Sequence, residues 1–270
     1  HYMKLNKYIF ATLITSTTLF LGGCSDFLDR SPQGQFTEDD NPNALVNGKI
    51  YNVYTLMRNY DVTAGPPALA IHCFRSEDSE KGSISSDGSD VAEMYDDFVY
   101  TPTNGLLGAY WGRNYAIIYQ CNDILTAIAE KETAGQTEAE DIINKGEASF
   151  FRAYCYFELL QAYGDLIITR TPLDIDSPEM QKARNPRTEV ADFIIDDLKE
   201  AAKLLPVDKA ISSSDEGRLS SEAALAFLSR VALYEGTWEK FHNGGQNTER
   251  TKDLLNTAAQ AAHDVMAGGA

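Results

Sequence analysis

The sequence predicts a mainly helical protein, and one stretch near the middle of the chain is the strongest evidence for it. Residues 145–164 read KGEASFFRAYCYFELLQAYG, which is apolar or aromatic at most positions, contains no proline and ends on a glycine. A glycine just past the last turn is a common end of an α-helix. A helix that is apolar on nearly all sides must be covered by other helices. We therefore expect this stretch to be the central helix of the fold.

Arg152 is the cationic exception in this predicted central helix. A deeply buried guanidinium requires an ionic or hydrogen-bonding partner. The local candidates for that partner are Glu147 and Glu158, which lie on the same predicted helix.

A weaker copy of the central helix follows later in the chain and is the second observation for a helical fold. Two trios share a spacing of four residues: Ala148, Arg152 and Tyr156, and then Ala226, Arg230 and Tyr234. This spacing places each trio on one helical face, with the alanine where a neighbouring helix comes close. Repeated hairpins of this kind build tetratricopeptide-like arrays. We predict such hairpins, arranged in an α-α superhelix with long irregular loops.

The first predicted helix begins after Asp39 or Asn41, either of which can cap it, and continues to Met57. Residues 75–97 are rich in Ser, Asp, Glu and Gly without any sustained period, which indicates a long loop. A long loop in a compact domain is usually functional or mobile. Within it, Arg75 and Asp78 are candidates for polar contacts with a ligand, and ordinary surface salt bridging is the alternative.

The first helical hairpin is predicted over residues 106–131 and 137–164. In the first of these ranges, apolar and aromatic residues recur at every third or fourth position, as on a helix. The connection between the two ranges is short, which favours antiparallel neighbours. Thr137 and Glu140 have the spacing of a capping box at the start of the second helix.

A second hairpin is predicted from a helix that Thr188 caps and Pro206 ends, followed by a helix from Ser220 to Tyr234. A last helix over 249–266 opens a third hairpin, and the sequence stops at Ala270. Because that helix would leave its apolar stripe uncovered, we expect the sequence to be the N-terminal part of a longer protein.

The N-terminus has the organisation of an export signal. Lys4 and Lys7 precede an apolar stretch over residues 8–21, which is too short and too rich in Thr and Ser for a spanning helix. Leu21-Gly22-Gly23-Cys24 has the form of a bacterial lipobox, in which the cysteine becomes the new N-terminus and carries the lipid. We predict a signal peptide over 1–23, a lipidated tether over 24–36 and a helical domain over 37–270.

The charge of the chain excludes some partners. The formal net charge is −17 and the pI is near 4.6. Nucleic-acid binding requires a basic surface, so we expect no nucleic-acid partner. Adhesion to an anionic lipid surface through charge alone is excluded for the same reason.

No catalytic, metal or cofactor motif stands out in the sequence. Cys73, Cys121 and Cys155 lack metal-ligand spacing, the histidines lack it too, and no glycine-rich phosphate loop is present. Cys121 and Cys155 lie among apolar neighbours, which predicts buried free thiols. We expect no catalytic residues, no metal and no cofactor, although abundant carboxylates leave a glycoside-hydrolase acid pair open.

Trp111 and Asn114 are the residues best suited to contact a carbohydrate. An aromatic face stacks on the apolar face of a sugar ring, and an amide both donates to and accepts from hydroxyl groups. Residues three apart on a helix are neighbours, so both could reach one ligand. The alternative is that Trp111 belongs to the core of the first hairpin.

Several stretches together resemble one family, the SusD/RagB-like nutrient-uptake lipoproteins of the Bacteroidetes outer membrane. They are residues 24–29 (CSDFLD), the set Trp111, Tyr115, Ile118 and Asn122, residues 146–172, residues 184–206 and residues 217–238. The resemblance covers nearly the whole mature chain. It implies a mainly helical protein with tetratricopeptide-like hairpins and a loop-rich ligand face, and it implies that members are considerably longer than this sequence.

The resemblance also implies a function. A member would be a non-catalytic, surface-exposed outer-membrane lipoprotein, anchored through Cys24, that binds glycan and passes it to a TonB-dependent SusC-like transporter. Trp111 and Asn114 match a ligand-contacting pair of starch-binding members. The alternatives are an oligopeptide-binding member of the same family and, from another class, a lipoprotein glycoside hydrolase.

Overall fold

The computed structural model describes residues 42–60, 101–103, 105–173, 176–242, 245–246 and 248–268. The described residues form six α-helices: α1 Pro42–Tyr60, α2 Gly105–Ala134, α3 Ala139–Tyr163, α4 Arg187–Leu204, α5 Ser221–His242 and α6 Glu249–Met266. Short 3-10 helices occupy Pro178–Gln181 and Asp208–Ala210. No β-strand occurs in these residues, where the sole β pairing is an antiparallel bridge between Leu166 and Asn185. The prediction of a mainly helical fold is confirmed.

From α2 onward, each helix packs against the next one in the chain, so the helices form successive hairpins. The leucines that end α4 contact Gly146 near the start of α3, and the leucines that begin α6 contact Gly236 near the end of α5. The first of these contacts lies far from the connection between α3 and α4, so these two helices must be antiparallel. Among the described helices, none combines the length and the apolar character that crossing a membrane requires.

Helix α3 is the central helix, as the sequence predicts. Its side chains from Phe150 to Leu160 are buried with the exception of Tyr154, and the apolar ones among them pack in one continuous core. Gly164 ends the helix at a φ of 73°, where its N–H donates to the carbonyl of Leu160 at 3.1 Å. A positive φ is readily adopted only by glycine, which is why the helix ends at this residue.

The capping box of α3 lies one residue later than predicted. The backbone N–H of Glu138 donates to the carboxylate of Asp141 at 2.8 Å, in place of the Thr137 and Glu140 pair. Asp141 is buried and also forms an ion pair with Lys131 of α2 at 2.5 Å. The helix therefore begins where one carboxylate can both cap α3 and tie it to α2.

The partner of Arg152 differs from the sequence expectation. Its guanidinium donates to both carboxylate oxygens of Asp197 on α4, at 2.8 and 2.7 Å. Glu147 binds Arg218 instead, and Glu158 accepts the Tyr110 hydroxyl. Both glutamates fail as partners because spacings of five and six residues leave the helical face of Arg152, on which partners stand three or four residues away.

The second trio does not repeat the environment of the first. Ala148 and Arg152 are buried, whereas Ala226 and Arg230 are exposed. The two hairpins share a different feature, which is the close approach of a glycine to a pair of leucines. A Cβ added to Gly146 would lie 2.9 Å from Leu205 Cγ, and one added to Gly236 would lie 3.0 Å from Leu255 Cδ2. Helix α5 continues past the predicted end at Tyr234 to His242, and Gly236 within it allows α6 to approach.

We expect Gly146→Val to destabilise the protein, because a branched side chain would overlap Leu205 at the α3–α4 contact. Overpacking of this kind costs about 1–3 kcal/mol. The matched control is Gly48→Ala in α1, where an added Cβ meets nothing within 4 Å. That change should stabilise by about 0.5–1 kcal/mol, since alanine replaces glycine inside a helix. Urea unfolding measures the free energy of unfolding of both variants. Equal values would contradict the close approach of Leu205 to Gly146.

Candidate functional site

Three aromatic residues of α2, Trp111, Tyr115 and Tyr119, are spaced four apart and therefore share one helical face. They line a cavity of about 390 Å³, which we call the aromatic cavity. Its lining is Trp111, Gly112, Tyr115, Tyr119, Asn122, Ile167, Thr169, Thr171, Leu173 and Glu179. The cavity thus lies between α2 and the segment that follows α3, and it has the size and the mixed lining of a small-molecule cleft.

The far wall of the aromatic cavity is residues 166–173, the wall segment. Its backbone is held by tyrosine side chains in place of a sheet. The Tyr115 hydroxyl donates to the carbonyl of Ile167 at 2.9 Å, and the N–H of Thr169 donates to the Tyr156 hydroxyl at 2.8 Å. Asn185 also accepts the N–H of Ile168 at 3.1 Å. Because backbone polar groups must be paired when they are buried, these side chains fix the position of the wall.

Asn122 of α2 connects the wall segment to the buried ion pair. Its amide donates to the carbonyl and to the hydroxyl of Thr169, at 3.1 and 3.0 Å. Its oxygen accepts from the Arg152 guanidinium at 2.8 Å, and that guanidinium is held by Asp197. The amide orientation of Asn122 is therefore set by Arg152, since only its oxygen can accept.

The two tyrosines that hold the wall remain hydrogen-bond donors over the physiological pH range. Burial raises the pKa of Tyr115 above its ordinary value, and burial likewise raises the pKa of Tyr156. A raised phenol pKa keeps the proton on the hydroxyl. Deprotonation of these groups is therefore not part of the chemistry of this site.

Trp111 is half-buried, and its contacts fit both predicted roles, in the core of the hairpin and at a ligand site. Its ring packs edge-on against Tyr163 at 5.1 Å and lies 4.8 Å from the ring of Tyr115. The guanidinium of Arg184 lies 5.0 Å from the ring centroid. The same indole also lines the aromatic cavity, so Trp111 both supports the core and contributes a surface to the site.

Of the other predicted site residues, Asn114 lies within the described part of the chain, and it does not line this cavity. Asn114 is fully buried, and its amide donates to the carbonyl of Tyr110 at 2.9 Å within α2. Arg75, Asp78 and Cys24 lie outside the described residues. Tyr119 was not among the predicted site residues, although its spacing of four from Tyr115 and eight from Trp111 indicates the same helical face.

The cysteines and carboxylates of the described ranges provide no metal centre. Cys121 and Cys155 are buried free thiols, as predicted, and burial raises the pKa of Cys121 to about 12. In the part of the chain that the structure describes, no group of three or more His, Cys, Asp and Glu residues is placed to hold a metal ion.

Comparison with known proteins connects the sequence to one family. Residues 26–233 match the model of a SusD-like family described as "Starch-binding associating with outer membrane". A SusD-like protein of Bacteroides ovatus is 28% identical over 264 residues, which are 94% of this chain and 43% of that protein. The SusD-like protein P2 of Formosa agariphila is 27% identical over 93% of this chain and 48% of its own length. The chain thus spans less than half the length of these curated relatives.

Solved structures share the fold. A laminarin-binding SusD-like protein superposes with a TM-score of 0.65 at 24% identity, covering 83% of this chain and 43% of that protein. A SusD homologue from Bacteroides thetaiotaomicron superposes with a TM-score of 0.66 at 20% identity, covering 87% of this chain and 43% of that protein. At these identities the likeness establishes the fold alone.

Proposed function

Because this chain belongs to the SusD-like family of starch-binding proteins that associate with the outer membrane, we propose that it binds glycan at the aromatic cavity without catalysis. The single observation that carries the proposal is that cavity, which has an aromatic wall on α2 and a hydroxyl-bearing wall opposite.

The two walls suit the two kinds of surface on a sugar. Trp111, Tyr115 and Tyr119 offer ring faces and edges that contact the apolar C–H face of a pyranose. Thr171 offers a hydroxyl that both donates to and accepts from sugar hydroxyls, whereas the Thr169 hydroxyl is already bonded to Asn122 and Tyr156. The laminarin-binding relative of the same fold supports a neutral glucan as the first ligand to try.

The test is a binding panel on the purified chain. Laminarin-derived and starch-derived oligosaccharides are titrated by calorimetry, alongside peptides of matched length, and the same mixtures are assayed for new reducing ends. We expect saturable binding to a glycan without turnover. Binding to peptides alone would replace the proposal with the oligopeptide alternative. New reducing ends that a single carboxylate substitution abolishes would establish the glycoside-hydrolase alternative.

We further propose that the protein is held at the outer membrane by lipid on Cys24 and that it passes glycan to a TonB-dependent SusC-like transporter. The family description supports membrane association, and several acyl chains hold a protein where a single chain barely does. Cys24→Ala should abolish incorporation of a fatty-acid analogue and outer-membrane fractionation. Label that persists in this variant would contradict the lipid anchor.

The transporter partner is tested by affinity capture with the wild-type protein. We expect a SusC-like transporter in the eluate, and an eluate without one would contradict the partnership.

A further inference from the structure

A second cavity adjoins the aromatic cavity on the opposite side of the wall segment. Side chains alternate sides along extended backbone. Accordingly, Ile167 and Thr169 line the aromatic cavity, whereas Ile168 and Arg170 line the second cavity, which has a volume of about 690 Å³. Thr171 and Glu179 line both. The two cavities therefore adjoin at these two shared residues.

The second cavity, which we call the charged cavity, is lined by groups of both signs. Its cations are Arg170 and Lys182, and its carboxylates are Glu179, Glu189, Asp192 and Asp196. Several of them are already engaged with other protein groups. Lys182 pairs with Glu179 at 3.2 Å, Arg250 pairs with Asp192 at 2.8 Å, and Asn185 donates to Glu189 at 2.9 Å.

Arg170 and Asp196 differ from these charged residues, because both are available to a ligand. Within the described ranges, neither side chain forms a hydrogen bond or an ion pair, and both residues are exposed. The guanidinium of Arg170 lies over the ring of Phe193, 4.6 Å from its centroid, which restrains it along the cavity floor. The cavity therefore presents one restrained donor and one acceptor to whatever enters it.

We propose that the charged cavity is a second subsite for the same glycan chain and takes a neutral, hydroxyl-bearing sugar unit. Arg170 donates to its hydroxyl oxygens and Asp196 accepts from its hydroxyl groups. Four carboxylates line the cavity against three cations, when Arg250 on Asp192 is counted with Arg170 and Lys182. The cavity therefore keeps a net negative charge, which selects against uronic acid and sulfated units by repulsion. This inference depends on the proposed glycan binding at the aromatic cavity.

The experiment is a calorimetric length series of neutral gluco-oligosaccharides, from the disaccharide upward, on the purified chain. We expect affinity to rise with length until both cavities are filled. Arg170→Gln and Asp196→Asn should each weaken the longest ligand by about tenfold, since a hydrogen bond to a charged group is lost. The same variants should leave the shortest ligand unchanged. Glu200→Gln is the control, because it removes one negative charge from α4 at a residue outside the cavity.

A matched series of oligouronates tests the charge selection. We expect the wild type to bind oligouronates at least about tenfold more weakly than neutral chains of equal length. Asp196→Asn should reduce this difference in affinity, because it removes a negative charge from the cavity. Equal effects of the variants on short and long neutral ligands, or unaltered affinity for the long ones, would overturn the second subsite. Uronates bound as tightly as neutral chains would overturn its ligand class. If no oligosaccharide binds the wild type, the proposed function itself fails.

Discussion

Arg152→Met is expected to lower the free energy of unfolding by about 3–5 kcal/mol, because it leaves the carboxylate of Asp197 buried without its cation. Both side chains of this pair are only 10% exposed, and the two form a bidentate contact at 2.8 and 2.7 Å. Asn122 also loses the donor that fixes its amide. The measurement is equilibrium unfolding in urea at neutral pH.

The double variant Arg152→Met, Asp197→Leu separates charge from packing. Replacing both members of a buried ion pair by apolar residues is often neutral or stabilising. We therefore expect the double variant to recover most of the stability that the single variant loses. If Arg152→Met unfolds within about 1 kcal/mol of the wild type, the buried charge carries no penalty. The same conclusion follows if the double variant is less stable than both single variants.

Arg218→Met is expected to have an effect of similar size, about 3–5 kcal/mol. Arg218 precedes α5 and donates to both oxygens of Glu147 on α3, each at 2.9 Å. The Glu147 side chain is 0% exposed and also accepts the Tyr54 hydroxyl at 2.7 Å. Removing the cation would leave this carboxylate in the core with only a neutral donor.

The control for Arg218 is an ion pair in solvent. Lys252 pairs with Glu249 at 2.7 Å, and their side chains are 53% and 86% exposed. Lys252→Met should change stability by no more than about 0.5 kcal/mol, since exposed pairs contribute little. Urea unfolding of both variants at matched ionic strength measures the difference. Equal losses in the two variants would show that burial does not decide the effect.

The parts of the fold that the sequence predicts are those with local signals. The apolar run of α3 and Gly164 at its end mark the central helix, and hydrophobic spacing predicts the last helix with the bounds that α6 has. Ion-pair partners have no such signal. Asp197 is 45 residues from Arg152 along the chain, and nothing near either residue specifies the other.

Less of the candidate site than of the helical fold could be predicted from the sequence. Trp111 stands out because an aromatic residue on a predicted helix is a local observation, and the regular spacing of Tyr115 and Tyr119 extends it. The wall segment has no comparable signal, because its position depends on side chains from α2 and α3 that bind its backbone. Asn114 stays a prediction as a ligand contact, and the structure shows it inside the helix packing.

If glycan binds at the aromatic cavity, Trp111→Ala should weaken that binding. The matched control is Trp238→Ala, since Trp238 is a half-buried tryptophan outside the cavity. Its ring stacks on His242 at 3.9 Å, and the Arg187 guanidinium lies 4.2 Å from its centroid. Thermal melts first establish a temperature at which both variants are fully folded, because Trp111 also packs on Tyr163.

At that temperature, calorimetry compares the affinities of the two variants for the best oligosaccharide of the panel. By analogy with stacking on nucleic-acid bases, we expect Trp111→Ala to weaken binding by about 1–3 kcal/mol. Trp238→Ala should leave the affinity within about twofold of the wild type, since it alters no residue of the cavity. Wild-type affinity in folded Trp111→Ala would contradict binding at the aromatic cavity.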